Sequence, residues 1–439
     1  MSNWQKVTLD KLCFFEKGKT GLAKAIPGDY PLVTTSAERK TNDFYQFDTK
    51  AVCIPLVSST GHGHASLNYV HYQEGKFALG TILVALIPKD ETILNAQFLH
   101  LYLSRLKDII LVPLMSGAAN VSLSISKIKT VEIPLPPIDE QLKIVELFKN
   151  LVNENNELVE EINTQSSLLK QLKQTILQEA IEGKLTEKWR VKNPDIGTAK
   201  ELLEQIKTEK EKLIKDKKIK ASKLLAPINE DEIPFDIPPS WEWCKFGEII
   251  YENPRNGYSP KTVDYKTEIK TLKLGAITQG YFDTTQIKYL DISIEKDSFL
   301  WLKKGDVLIQ RSNSLEHVGM AGIYNLKDTN YIYPDLIMKC QVVQPVINYF
   351  IHKYLVSNFT REYFRNNASG AQQSMPKINQ GTVTNLLVPL PPTEEQKEIV
   401  ATIEKLFTIC DELESEINQN KTTVDNLMAR VLKEAFEQQ

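Results

Sequence analysis

Apolar positions in this chain follow two different periods. Through residues 1–132 and 241–387 they come in short alternating or continuous runs, the pattern of half-buried or buried strands. Trp4–Leu9, Tyr30–Thr34, Ala51–Val57 and Phe77–Ile87 are the strands expected in the first region. Leu272–Leu274, Tyr281–Leu290, Asp306–Gln310 and Ile337–Val343 are those of the second. Each region carries one helical stretch, Ala96–Ile110 and Tyr349–Arg365, and Trp241–Ile249 repeats the aromatic and apolar spacing of Trp4–Leu12.

The period changes after each region. Beyond Pro137 apolar residues alternate by three and four: Phe148, Leu151, Asn155, Leu158, Ile162, Gln165, Leu169, Leu172, Ile176. Beyond Pro392 the series is Ile403, Leu406, Cys410, Leu413, Ile417, Asn420, Val424, Leu427, Val431. A 3.5-residue period held over four heptads predicts a coiled coil, with Leu151, Leu158, Ile162, Leu169 and Leu172 meeting Leu406, Leu413, Ile417, Val424 and Leu427 in the helix-pairing seam. At about 1.5 Å per residue, 44 residues would reach roughly 65 Å. Pro136-Pro137 ends any strand, acids fill the first turn, Thr393 and Gln396 fit a capping box, and Gly183 is the expected C-cap of the first helix. Val145, Val152 and Val159 form a second apolar row, expected to face a globular region or a partner chain.

These two helical stretches are copies. Ile133-Pro134-Leu135-Pro136-Pro137-Ile138-Asp139-Glu140-Gln141 returns as Val388-Pro389-Leu390-Pro391-Pro392-Thr393-Glu394-Glu395-Gln396. In a fixed register of 255 residues they align without a gap for about 50 positions, with roughly 19 identities. That spacing is too long for a solenoid unit and indicates a duplicated half-protein. The expected order is a globular region 1–132, a repeated helical region 133–190, a charged connector 191–240, a second globular region 241–387 and a second helical region 388–439. In the connector, Thr198–Lys223 reads as a solvated helix and Glu230–Trp241 as a Pro-punctuated linker.

Composition alters this picture in one respect. The formal charge of −3 hides a split: residues 139–163 carry a net −5 and residues 394–418 a net −6, which leaves +8 on the rest. The globular regions are therefore basic, compatible with a polyanionic partner. Five scattered cysteines without a C-x-x-C pair, no apolar run of membrane-spanning length and no apolar N-terminal signal lead to the expectation of a reduced, cytoplasmic protein without a membrane contact.

Catalytic motifs are missing from the sequence. Gly18-Lys19-Thr20 ends like a phosphate loop, but Cys13 stands where its first glycine belongs. There is no G-x-G-x-x-G and no Asn/Asp-Pro-Pro-aromatic motif, and a nuclease drawn from Asp335, Glu395 and Lys397 would straddle a domain boundary. His62, His64 and His71 match no structural zinc spacing, so no metal site is expected. What remains is binding chemistry. Ser59, Thr60, His62 and His64 lie in a polar loop with glycines, and Gln310, Arg311 and Asn313 in a comparable stretch of the second region. Arg255, Asn256, Gln372 and Gln373 complete the DNA-binding candidates, because Arg, Asn and Gln can pair bidentately with base edges or hold phosphates.

The doubled Pro-Leu-Pro-Pro-x-x-Glu-Gln motif, at Pro134–Gln141 and Pro389–Gln396, each opening a long coiled-coil helix, resembles the specificity subunit of type I restriction–modification systems. Arg311-Ser312-Asn313-Ser314 followed by Gly319 is similar to a stretch of that family's recognition domains. The resemblance covers essentially the whole chain. It implies an α+β fold: two mixed α/β target recognition domains and two long repeated helices pairing as an antiparallel coiled coil, in a pseudo-two-fold arrangement. It implies a non-catalytic chain that reads a bipartite double-stranded DNA site. Two adenine methyltransferase subunits and restriction/translocase subunits would be its partners, with S-adenosylmethionine, ATP and Mg on those subunits and no cofactor on this chain. The alternative on residues alone is a coiled-coil scaffold that does not read DNA.

Overall fold

The computed structural model describes residues 4–60, 63–118, 120–222, 224–327, 330–370 and 375–437, with side chains described up to residue 427. The chain divides into two compact units, residues 1–164 with 417–439, and residues 165–416.

Unit 1 opens with β1 (Gln5–Thr8), the short α1 (Leu9–Leu12) and β2 (Cys13–Lys17). There follow β3 (Tyr30–Val33), β4 (Lys40–Asn42), β5 (Phe47–Asp48), β6 (Ala51–Pro55), β7 (His71–Gln73), β8 (Lys76–Leu79) and β9 (Leu83–Pro88). After them come α2 (Ala96–Ile110), α3 (Ile125–Lys129), β10 (Glu132–Leu135) and the long α4 (Ile138–Ile181), of which this unit holds the part up to residue 164. The strands make two four-stranded sheets, β2-β9-β6-β7 and β4-β3-β8-β5, and an antiparallel pair, β1-β10. The apolar run of β6 is continuous because both of its faces are covered. Val52 and Ile54 enter a core with Phe98, Leu99 and Leu103 of α2, while Ala51 and Cys53 enter a second core with Phe77 and Leu79. β9 alternates in the same way, Val84 and Leu86 against Leu83 and Ala85. The single strand expected over Phe77–Ile87 is thus two strands, turned at Gly80, whose N–H bonds Val33 O at 3.0 Å.

Unit 2 holds the end of α4, then α5 (Glu187–Lys192) and α6 (Ala199–Lys215). It continues with β11 (Glu242–Lys245), β12 (Arg255–Asn256), β13 (Ile269–Leu272), β14 (Ile287–Leu290), β15 (Val307–Gln310), β16 (Ala321–Ile323), β17 (Tyr331–Ile332) and β18 (Ile337–Cys340). Helices α7 (Asn348–Leu355), α8 (Asn358–Asn366) and α9 (Gln380–Thr384), strand β19 (Leu387–Leu390) and the first half of α10 (Thr393–Glu437) complete it. Its sheets are β12-β18-β15-β16, β14-β13-β17 and the antiparallel pair β11-β19. The helix expected over Tyr349–Arg365 is interrupted. Ser357 donates its hydroxyl to Tyr354 O at 2.7 Å and accepts Thr360 N–H, so it closes α7 and caps α8. The connector helix ends at Lys215 and is not solvated all round: Ala199, Leu202 and Ile206 are buried, and Lys210 Nζ reaches the carbonyls of Gly247 and Glu248 at 3.0 and 3.2 Å.

Both units are fastened to their long helix by the same contacts, and these explain the repeated motif. In unit 1 the opening strand pairs with the motif strand, Gln5 opposite Leu135, and Trp4 Nε1 donates to Glu140 Oε2 at 2.9 Å. Gln141 is buried; its Nε2 donates to Pro136 O and Ile93 O at 2.8 Å, and its Oε1 accepts Asn95 N–H at 2.8 Å. Asn95 in turn caps α2. In unit 2 Glu242 lies opposite Leu390, Trp241 Nε1 donates to Glu395 Oε2 at 2.8 Å, and Gln396 bonds Pro391 O and Ile347 N–H at 2.8 Å each. Gln396 therefore does not close the capping box expected with Thr393; its amide is spent on the start of α7. Glu395 is fully buried and also accepts Thr186 Oγ1 at 2.8 Å and Arg190 Nε at 3.0 Å, so its charge is compensated where water cannot reach it. Gly183, at φ +73°, ends α4 and starts the turn that brings Thr186 and Arg190 there.

The long helices pair more sparingly than the heptads suggest. In unit 2 Lys173 Nζ bridges Asp411 and Glu414 of α10, both at 2.8 Å. Ile162, Leu169, Ile176, Ile403 and Cys410 are buried, and Leu151, Leu406, Ile417 and Val424 partly so. Leu158, Leu172, Leu413 and Leu427 are between 42% and 57% exposed. One heptad row is enclosed and the alternate row, apart from Leu151 and Leu406 at one end of each series, faces out, so these four leucines are not enclosed seam positions within either unit. No helix among the described residues is long and apolar enough to cross a membrane.

Two outcomes follow. Gln396→Leu keeps the size but strands two backbone groups, and is expected to cost about 2–3 kcal/mol in urea unfolding. Ile162→Asp is expected to cost about 3 kcal/mol or more and Leu158→Asp less than about 1 kcal/mol, measured the same way.

Candidate nucleic-acid interface

The 255-residue register continues from the helices into the sheets. β6 and β15, which lie in the interior of their sheets, both run out into a polar loop, and each loop is pinned by one bridge: Val57 to Ser122 in unit 1, Ser312 to Lys377 in unit 2. Both bridge positions are 255 residues apart. The loop after β6 thereby lies against the Ser116–Ser122 loop, with Ser58 N to Val121 O at 3.0 Å and Leu123 N to Leu56 O at 2.9 Å. The loop after β15 lies against the Ser369–Lys377 loop, with Ile378 N to Arg311 O at 2.9 Å. The sequence shows the Ser59–His64 and Gln310–Asn313 stretches singly; the fold joins each to a second loop as one paired-loop edge in each unit.

In unit 2 the candidates separate into support and surface. Gln310 is fully buried. Its Nε2 donates to Leu274 O at 2.8 Å and Thr278 Oγ1 at 2.7 Å, and its Oε1 accepts Asn313 Nδ2 at 2.9 Å. It braces the loop and has no group left for a base, which corrects its place among the DNA-binding candidates. Asn313 is partly buried and half committed, since its Oδ1 also accepts Ser314 N–H at 2.8 Å. Arg311 is partly exposed and no described residue pairs with its guanidinium, and Lys377 beside it is exposed. Below them, buried Arg361 donates to Val318 O at 2.6 Å and Glu316 O at 2.7 Å; burial, then the nearby Arg365 charge, pushes its pKa down to about 10. Gly319, at φ +74°, closes the loop against Phe364, whose ring would lie 2.4 Å from an added Cβ.

Arg255 is committed elsewhere: its guanidinium is 2.7 Å from Glu252 and lies over the Phe299 ring at 5.1 Å. Asn256 is partly buried in β12, opposite Met338. The structure does not bring Arg255 to the loop edge, because local charge pairing holds it on the sheet.

In unit 1 the hydroxyls fold the loop on itself. Ser58 Oγ and Thr60 Oγ1 both donate to His64 O, at 2.6 and 3.2 Å, Thr60 meets Ser66 at 3.1 Å, and Ser59 Oγ accepts Asn68 N–H at 2.8 Å. Ser59 and Thr60 are therefore loop formers first, while His64 is exposed at the surface. An added Cβ at Gly63, φ +80°, would lie 2.7 Å from Ala118 O, so a glycine is needed where the two loops touch. Lys127 steadies the second loop through Leu114 O at 2.8 Å and Ser116 Oγ at 3.2 Å. His62, Gln372 and Gln373 lie outside the described residues. Among the described residues there is no cluster of three or more His, Cys, Asp or Glu that could hold a metal. Lys377, Arg361 and Lys127 were missed from sequence; for Lys377 the signal was available, as the register partner of Ser122.

Comparison with known proteins bears on this edge. A family model, "Type I restriction modification DNA specificity domain", matches residues 1–165 and 238–420. The chain belongs to that family. Among curated relatives, the type I restriction enzyme EcoEI specificity subunit of Escherichia coli is 31% identical over 57% of this chain and 42% of its own length. The EcoKI specificity subunit of Escherichia coli strain K12 is 26% identical over 73% of this chain and 61% of its own. The chain thus spans less than two thirds of either relative. A chain solved in work on complex assembly and conformational transition of a type I R-M system covers 99% of this chain and 98% of itself, at a TM-score of 0.65 and 16% identity, a likeness of fold. The two segments matched by the specificity-domain model contain both paired-loop edges.

The braces of this edge are testable. Gly319→Ala is expected to lower stability by about 2–4 kcal/mol, through strain plus the Phe364 clash. Gly75→Ala, at the same φ of +74° but with nothing within 4 Å, is expected to cost only about 1 kcal/mol. Paired denaturation curves read the difference.

Proposed function

We propose that this chain is the non-catalytic specificity subunit of a type I restriction–modification complex. Each unit reads one part of a bipartite duplex DNA site, unit 1 with the loops at residues 58–66 and 116–122, unit 2 with those at 311–319 and 369–377. The observation that carries this reading is the recurrence, in one register, of a polar paired-loop edge hung on an interior strand of each globular region. The cations on the unit 2 edge, with which no described residue pairs, favour a polyanion, and phosphate contacts of this kind set affinity and orientation while neighbouring polar groups read bases. The names of the curated relatives and the lack of catalytic motifs in the sequence support an address role. Two DNA adenine methyltransferase subunits would dock on the long helices, whose outward leucine row offers apolar surface, and would carry S-adenosylmethionine; restriction/translocase subunits would bring ATP and Mg.

Two measurements on the assembled methyltransferase complex test this. Lys377→Ala is expected to weaken binding of all DNA sequences alike and to reduce the salt dependence by about one phosphate contact, whereas Arg311→Gln is expected to relax only one half of the recognised site. Exchange of residues 1–132 for those of a relative, followed by mapping of methylated adenines, is expected to change the other half alone. Unchanged sites after that exchange, or DNA binding without salt dependence, would favour a scaffold that does not read DNA.

A further inference from the structure

Helices α2 and α4 of unit 1 stand apart around a cavity of about 420 Å³, within the range of ligand and side-chain pockets. Leu101, Val145, Phe148 and Val152 make its apolar walls, Arg105 and Lys149 stand at its rim, and no carboxylate among the described residues lines it. Arg105 lays its guanidinium over the Phe148 ring at 4.9 Å, and Lys149 Nζ donates to Gln97 Oε1 at 2.8 Å. Val145 and Val152 belong to the second apolar row of the sequence, which DNA reading leaves unused. The lining on α4 runs along one face from Val145 to Asn153, a footprint of two turns.

Unit 2 fills the same place from within. In the 255-residue register Val152 becomes Phe407 and Lys149 becomes Glu404. The Phe407 ring lies 5.0 Å from Lys353 Nζ of α7. Burial lowers the Lys353 pKa, and the charges of Glu404 and Asp411 oppose that shift. There an aromatic plug and an acid one turn away complete a cation on the domain helix. Among its described residues unit 1 has the cation and a ring, but neither the plug nor the acid.

We propose that the α2–α4 cavity of unit 1 is a docking pocket for an acidic amphipathic helix of a partner protein, which inserts an aromatic side chain between Val145 and Val152 and sets a glutamate on Arg105 and Lys149. The elongated footprint fits a helix anchored at i and i+3 better than a compact molecule. Charge complementarity selects an acidic segment, since no described residue gives the rim cations a carboxylate partner. The inference rests on the partner docking on the long helices proposed above and names one seat with its chemistry; no residue of the paired-loop edge lines this pocket.

The probe is a labelled 13-residue peptide reproducing residues 400–412 of this chain with Cys410→Ser, titrated by fluorescence anisotropy against the full chain. Saturable binding is expected, weakened about tenfold by Val152→Phe, by Arg105→Ala and by Glu404→Gln in the peptide. Val152→Phe is expected to keep its thermal transition, because it places the residue that unit 2 carries there; should it fail to fold, Arg105→Ala carries the test. Duplex DNA binding should be the same for the variants and the parent chain, which separates this pocket from the reading edge. No binding, or binding indifferent to both Val152→Phe and Arg105→Ala, overturns the proposal. So does 4-phenylbutyrate binding as tightly as the peptide, which would mark a small-molecule site instead.

Discussion

One glutamine in each half holds the architecture together. Gln141 and Gln396 sit in the first turn of a 44- or 45-residue helix, are fully buried, and use their amides to tie that helix to its own proline turn and to the start of the domain helix. An amide suits the position because it donates and accepts at once, and both demands come from backbone groups that lack another partner. The preceding glutamate fixes the opening strand through a tryptophan N–H. Three elements distant in sequence thus meet within two residues, and the direction of the long helix is set relative to the domain it leaves.

The two halves use this joint at different strength. Glu140 remains exposed and has Trp4 as its partner, whereas Glu395 is enclosed by Trp241, Thr186 and Arg190. A carboxylate buried among three donors is costly to disturb singly, since removal of one leaves charge or donors unpaired. The α5 turn and connector are drawn into unit 2 through that carboxylate, which makes the second half the more extensively braced of the two.

The sequence made the large plan legible because it depends on periodicity. The period of two against 3.5, the 255-residue register and α2 with its ends at Ala96 and Ile110 were all readable. Competition between local bonds was not. The Ser357 hydroxyl splits a helix, and Gly80 turns a strand, for reasons set by partners far along the chain. The seam was half legible: heptads announce a coiled coil, yet Leu158 and Leu413 share the pattern of Ile162 and Cys410, and only packing distinguishes the enclosed row. At the candidate interface, residue type proved a poor guide. Gln310 and Arg255 have the side chains of base readers but are consumed by Thr278 and Glu252. Lys377, unremarkable in sequence, stands exposed beside Arg311.

The ladders β1-β10 and β11-β19 have an evolutionary consequence. In each, the strand by which the chain enters a globular region lies hydrogen-bonded beside the strand by which it leaves. A region whose two ends emerge at one place can be cut out and replaced between those points without moving anything beyond them. Since the exits are also the stretches that repeat along the chain, genetic crossover at either copy would deliver an intact cassette onto an unchanged frame. A globular region could then be exchanged whole, with no intermediate that must refold its joints.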